Sequence, residues 1–276
     1  MADVAPFRAI RYARLRARQT APPYDVVSDD ERDSYLSSDP HNVVHLTLAP
    51  SEEEAGRLFR QWLDEGTLVR DSEPAVWAAA QEYVGPDGVA RRREGVIASL
   101  RAEPYETRTV LPHESTHAGP KESRLRLLRA ARAQLEPIFL LYDGTPPVVP
   151  PSRDPDLEAG GTSLWRLPGD GVAEAFAGKQ LLIADGHHRY ETALAYAAEQ
   201  RAPESGRLMV VLVSTSDPGL EIFPTHRLVR RPTDALELGP GTGLEDALAE
   251  LESAGFERSH AVLYTRGLAR AVVGEP

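Results

Sequence analysis

Five consecutive residues concentrate the chemistry of this chain. Asp185-Gly186-His187-His188-Arg189 follow the apolar run Leu181-Leu182-Ile183-Ala184. They precede a segment with helical spacing, Tyr190, Ala193, Leu194, Ala197 and Ala198. The apolar run reads as a strand buried on both faces, because it has no polar alternation. Asp185-Gly186 then turns the chain into the helix. Three basic or near-basic side chains at a helix start oppose the dipole, unless an anion sits between them. Ligands of α/β proteins bind beyond the carboxyl ends of strands, and the first-turn amides of a helix suit a phosphate. Gly186 lets the backbone approach such an anion closely. These residues predict a phosphate loop; a solvated Asp-Gly turn is the plain alternative.

A second pattern competes with it. His113-Glu114-Ser115-Thr116-His117 has the spacing of a zinc-hydrolase helix, in which two histidines grip the metal and the glutamate polarises water. That chemistry needs a stable helix. Here Pro112 precedes the pattern and Gly119-Pro120 follows it, and Ser and Thr are poor helix-interior residues. An exposed loop with coincidental spacing is the expected outcome. His226 and Arg227, in "FPTHRLV", follow an apolar run and suit ligand contact or core-edge packing equally. Tyr24-Asp25, after Pro22-Pro23, shapes a turn.

The surrounding elements read as an alternation of helices and apolar strands, hence an α/β fold with a mixed sheet, α+β being the variant. "PFRAIRY" begins a strand, and a helix is capped near Ser28. "HNVVHLTL" alternates as a strand. A helix runs from Ser51 to Gly66 with Leu58, Phe59, Trp62 and Leu63 inward. Residues 75–101 read as a hairpin about Gly85-Pro86-Asp87-Gly88. A helix over 120–135 stops before Pro137, and "IFLLYD" is a buried strand. The proline-rich stretch 144–162 reads as a loop. "RLMVVLVSTSD" and "LEIFPTHRLV" are two more strands, and the tail gives one helix and one strand. Three portions follow: 1–105, an N-terminal α/β part; 106–230, the part with the phosphate loop; and 231–276, a short C-terminal segment.

Composition narrows the classes. The 276 residues contain no cysteine, so disulfides, thiolate catalysis and Cys-based zinc sites are excluded. The net charge is −11, which argues against a duplex-DNA partner. Arginines at 8, 11, 14, 16 and 18 suggest a solvated edge before a basic face; an organelle transit peptide is the alternative reading. No apolar run has the length of a membrane span. A cytoplasmic protein with no membrane or nucleic-acid partner is expected.

"PFRAIRY", "APPYDVV", "LPHESTHAGPKESRLRLLRA", "PIFLLYD", "IADGHHRYETALAY", "DPGL" and "PTHRLV" together resemble the prokaryotic family called domain of unknown function 1015. The likeness runs to about residue 230. Members are usually longer, so a missing C-terminal part is expected, and His117 does not belong to the family pattern. The motif order is similar, more distantly, to the ParB/sulfiredoxin superfamily and within it to the free-serine kinases. That resemblance implies a ParB/sulfiredoxin-like second half, ATP or ADP with Mg²⁺, and a small hydroxyl substrate. It makes Glu114 the general base or the residue that orients the nucleophile. Asp185 and His188 join it in the catalytic set, with Asp185 also the metal ligand. Gly186, His187 and Arg189 contact the nucleotide, with His226 and Arg227 grouped beside them. A serine-kinase-like phosphotransferase is the implied function; a non-catalytic nucleotide-binding regulator is the alternative. Sulfiredoxin chemistry would need a cysteine.

Overall fold

Serine caps start two of the helices, as the sequence predicts. In the computed structural model, Ser28 caps α1 (Asp29–Ser38), where its side chain accepts the Glu31 N–H. Ser51 accepts the Glu54 N–H and starts α3 (Glu52–Asp64), which buries Phe59 and Trp62. The structure describes residues 1–114, 118–200, 202–223, 243–253, 260–265 and 268–273.

In chain order the remaining elements of the first part are β1 (Val4–Ala5), β2 (Ile10–Tyr12), α2 (Val44–Thr47), β3 (Leu68–Arg70), β4 (Val76–Val84), β5 (Ala90–Arg101) and β6 (Val110–Leu111). Then come α4 (Ala118–Ala131), β7 (Ile138–Tyr142), β8 (Leu157–Ala159), β9 (Thr162–Leu167), α5 (Val172–Phe176), β10 (Leu181–Asp185), α6 (His187–Gln200) and β11 (Arg207–Ser214). A nine-stranded mixed sheet runs β6-β10-β7-β11-β5-β4-β9-β8, with β1 paired to β5. The fold is α/β. β4 and β5 form the expected hairpin, in register from Trp77 with Ile97 to Val84 with Ala90. The chain divides into two compact units, Met1–Phe223 and Pro224–Pro276. The second holds α7 (Leu244–Ser253) and a hairpin of β12 (His260–Thr265) and β13 (Leu268–Val273), one strand more than expected. Among the described residues no helix is long and apolar enough to cross a membrane.

Strand alternation sorts the sheet residues. Val96, Ala98, Ile138, Leu140, Val210 and Leu212 enter the main core, joined by Phe176 of α5 and Tyr190 and Ala193 of α6. Tyr190 is fully buried, and its hydroxyl donates to the Glu103 carbonyl (2.8 Å) and accepts the Glu103 N–H (3.0 Å).

Several local expectations are corrected. Residues 44–47 form a helix, not a strand. Buried Asn42 decides this: it accepts the Val44 N–H (2.9 Å) and donates to the carbonyls of Arg18 and Thr20. α4 begins at Ala118, because a proline in the first turn loses no intrahelical bond. It ends at Ala131, where Arg132 turns left-handed at φ 52°. The proline-rich stretch closes in the β8–β9 hairpin, with Gly160 and Gly161 both at positive φ as a tight two-residue turn requires. Leu220–Phe223 form no strand, and the rest of "LEIFPTHRLV" lies outside the described residues. β10 is not buried on both faces. Leu181 and Ile183 are buried but Leu182 is 38 % exposed, since its outer neighbour β6 pairs over only two residues. Ala198 of α6 also faces solvent.

Candidate functional site

Two short parallel strands bring the distant motifs together. β6 and β10 pair with Leu181 opposite Val110 and Leu182 opposite Leu111. Their carboxyl ends therefore emerge side by side. Pro112, His113 and Glu114 follow the one; Gly186, His187, His188 and Arg189 follow the other.

His113 Nδ1 donates to the Ile183 carbonyl at 2.6 Å, and the His113 N–H donates to His187 Nε2 at 3.2 Å. The two rings meet edge to face with centroids 4.4 Å apart. Because Nε2 of His187 accepts, its ring proton sits on Nδ1 when the ring is neutral. That Nδ1 faces Glu114 Oε1 at 3.3 Å. Burial, and then His113, push the His187 pKa below its ordinary 6.5, while Glu114, Asp185 and Glu191 act the other way. The ring is neutral near pH 7 and only 2 % exposed. Both of its nitrogens thus serve the 113–114 segment, and the Glu114 carboxylate, 48 % exposed, is held at the surface.

Asp185 is aimed by an irregularity in β10. Leu181, Leu182 and Ile183 pair with Tyr142, Leu141 and Leu140, but the next pair is Asp185 with Phe139. Ala184 is the extra residue. In an uninterrupted strand Asp185 would share the face of Leu181 and Ile183; the bulge turns it to the face of Phe139. There both line a cleft of about 550 Å³. Gly186 has φ +98°, a conformation that side chains rarely adopt. The Tyr190 N–H bonds the Gly186 carbonyl (2.9 Å) and closes the first turn of α6. The amides of His187 and Arg189, ahead of that bond, have no intrahelical acceptor.

Arg189 folds back: its guanidinium bonds the Asp185 carboxylate and the Pro137 carbonyl. The cations of the opening motif therefore do not all confront the dipole bare. One ring is neutral, and the guanidinium carries its own carboxylate. Asp185 remains 55 % exposed. His188 is half-buried, and its carbonyl accepts the Thr192 hydroxyl (2.6 Å). Lys121 of α4 and Glu191 of α6 clip the two helices at 2.7 Å.

His113 and Glu114 of the zinc pattern are not helical. His113 lies ahead of α4, and its Nδ1 is taken by a carbonyl. Residues 115–117, with His117, and also His226 and Arg227, lie outside the described residues. Among the described residues no three His, Asp or Glu groups cluster as metal ligands.

The cleft contains two residues that sequence reasoning passed over, Glu136 and Arg93. Glu136 accepts the Tyr24 N–H (3.2 Å), and burial raises its pKa against the pull of Arg189. Tyr24 is stacked under the Arg124 guanidinium, 4.0 Å from the ring centroid. Arg93 of β5 lies over Phe139, 4.5 Å from its centroid. An acid before a proline, and one arginine in "ARRRE", carry no pattern that marks them. Pro22 and Pro23 also wall the cleft, so "APPYDVV", "PIFLLYD" and "ADGHHRY" converge on one space.

The family model described as "Protein of unknown function (DUF1015)" matches residues 4–239. The chain belongs to the DUF1015 family. No curated protein and no solved structure matches it. The match covers every residue of the DUF1015 site described above, from Tyr24 to Arg189.

Proposed function

We propose that this DUF1015 protein is a nucleotide-dependent phosphotransferase acting on a small hydroxyl metabolite. One observation carries the reading: a surface carboxylate, Glu114, is backed by a buried neutral histidine beside the strand–glycine–helix junction of Asp185, Gly186 and α6. Phosphoryl transfer needs positioning and charge neutralisation more than covalent help, and these are what the junction offers. The first turn of α6 and Arg189 receive the terminal phosphates of ATP or ADP. The acceptor hydroxyl gives its proton to Glu114 while its oxygen bonds the terminal phosphorus. The bond from that phosphorus to the bridging oxygen breaks, and its electron pair leaves with the nucleotide. His187 fixes the direction of Glu114, and His113 fixes His187. Asp185 fits a role in holding Mg²⁺: it is half exposed, and Arg189 engages only its Oδ2. Mg²⁺ takes one or two carboxylates together with phosphate oxygens, and when bound it neutralises charge on them.

The test uses the full chain with ATP, ADP or CTP, Mg²⁺ and a pool of small hydroxyl compounds including serine, read by mass spectrometry. A phosphorylated acceptor is expected. Glu114→Gln should lower turnover by about 10²–10⁴ and leave nucleotide affinity near wild type. Equal turnover in the variant removes Glu114 from the mechanism. Nucleotide binding without transfer to any acceptor supports the regulatory reading instead.

A further inference from the structure

Arg93 is the one cation of the cleft that forms no ion pair among the described residues. Its neighbours are accounted for. Arg189 and Asp185 pair with each other. Glu94 pairs with Arg92 at 2.9 Å. Glu136 is pushed toward its neutral form by burial. Arg93 itself donates to Gln81 Oε1 (2.5 Å), its partner across the β4–β5 ladder, and lies over the rings of Phe139 and Tyr83. No carboxylate of the described residues comes within 4.0 Å of it. Asp217 is the acidic group that influences it, and that carboxylate already accepts the N–H groups of Glu94 (3.1 Å) and Gly219 (2.8 Å). Burying a cation costs free energy unless an anion or several hydrogen bonds meet it. A ring face and one amide oxygen offset only part of that.

The rest of the cleft defines the ligand. Its walls near Arg93 are apolar: Ala79, Ile97, Phe139, Leu164, Val211 and Val213. Its volume of about 550 Å³ lies within the range of small-molecule sites. One cation of the cleft is without an ion pair, so a monoanion is matched. A free phosphate dianion, with no Mg²⁺ beside it, would bring a second charge into a space that already holds Asp185.

We infer that the cleft is a binding site for a small organic monocarboxylate with a largely apolar body, and that Arg93 is its anchoring cation. This goes beyond phosphoryl transfer and does not depend on it; Glu114 and α6 are not needed to hold such a ligand.

The experiment is calorimetric titration of the full chain with hexanoate and phenylacetate, with hexanamide and phenylacetamide as neutral counterparts, and with inorganic phosphate. At least one acid should bind at least tenfold more tightly than its amide, and more tightly than phosphate. Arg93→Gln should weaken that acid by roughly ten- to a hundredfold, the effect of losing a hydrogen bond to a charged group. Arg93→Lys should recover part of the loss. Ala79→Leu, which fills the cleft without touching a charge, should weaken acid binding too. Glu114→Gln should leave it unchanged, which separates this inference from the kinase reading. Amides that bind as well as acids, or an Arg93→Gln protein that keeps acid affinity, would overturn it. So would Arg93-dependent binding of phosphate in preference to both acids. If Arg93→Gln fails to fold, the acid–amide comparison on wild type and the Ala79→Leu result decide the matter.

Discussion

Replacing His187 with leucine tests the support behind Glu114. The substitution keeps an apolar body in a fully enclosed place and removes two polar contacts. The first is the acceptor for the His113 N–H, at 3.2 Å. Leaving an amide unmet costs about 1–3 kcal/mol, and the lower part of that range applies because the segment is only partly buried. The second is the Nδ1 contact to Glu114 at 3.3 Å. It ends on a half-exposed carboxylate in high dielectric and adds about 0.3 kcal/mol. The better transfer of leucine out of water offsets up to about 1 kcal/mol. The net loss at pH 7.5 is about 0.3–2 kcal/mol.

The pH course is the sharper part of this prediction. The folded pKa of His187 is lowered below 6.5, so the unfolded chain takes up this proton at a higher pH than the folded one. Stability therefore rises with pH across the window between the two values. Equivalently, the histidine's contribution is complete above 6.5 and is lost as pH falls through the folded pKa. Leucine does not titrate, and other groups largely cancel in the difference. The gap between wild type and variant should thus narrow from pH 7.5 to pH 5. Urea unfolding followed by tryptophan fluorescence measures it. Trp62, Trp77 and Trp165 are the three tryptophans of the chain, and all lie in the Met1–Phe223 unit, so the signal reports that unit. No gap at pH 7.5, or a gap that holds or widens toward pH 5, would refute the hydrogen-bond assignment.

Three further outcomes follow from the same structure. Tyr190→Phe removes the partner of both the N–H and the carbonyl of Glu103 and should cost about 1–3 kcal/mol; an unchanged urea midpoint would contradict the pairing. Gly186→Val forces a β-branched residue to φ +98° and should cost about 1–3 kcal/mol, with nucleotide affinity falling in the same protein; a variant as stable as wild type would place the turn elsewhere. Dialysis against EDTA should leave the melting temperature unchanged, and elemental analysis should find no stoichiometric zinc; one tightly bound equivalent would reopen the His113–His117 pattern.

Local chemistry was legible in the sequence. Ser28 and Ser51 announce their helices because a hydroxyl at that position meets an orphan amide whatever the fold around it. Gly-Pro-Asp-Gly between alternating runs announces the β4–β5 hairpin for a similarly local reason. The strand, Asp-Gly turn and helix of residues 181–200 were readable from apolar spacing alone, and with the other motifs they marked the family. What the sequence left open depended on partners far along the chain. Residues 41–48 have the letters of a strand, but Asn42 is enclosed by the carbonyls of Arg18 and Thr20, and that enclosure makes a helix. Glu114 and His187 could each be proposed for the site, but their mutual contact depends on a two-residue parallel pairing too short to leave a pattern. Glu136 and Arg93 look like ordinary surface charges until the Tyr24 N–H meets the one and the Phe139 ring lies under the other. The face of Asp185 was decided last of all, by one extra residue at Ala184. A strand's own period of two would have turned that carboxylate toward the core, and only the register against β7 turns it into the cleft.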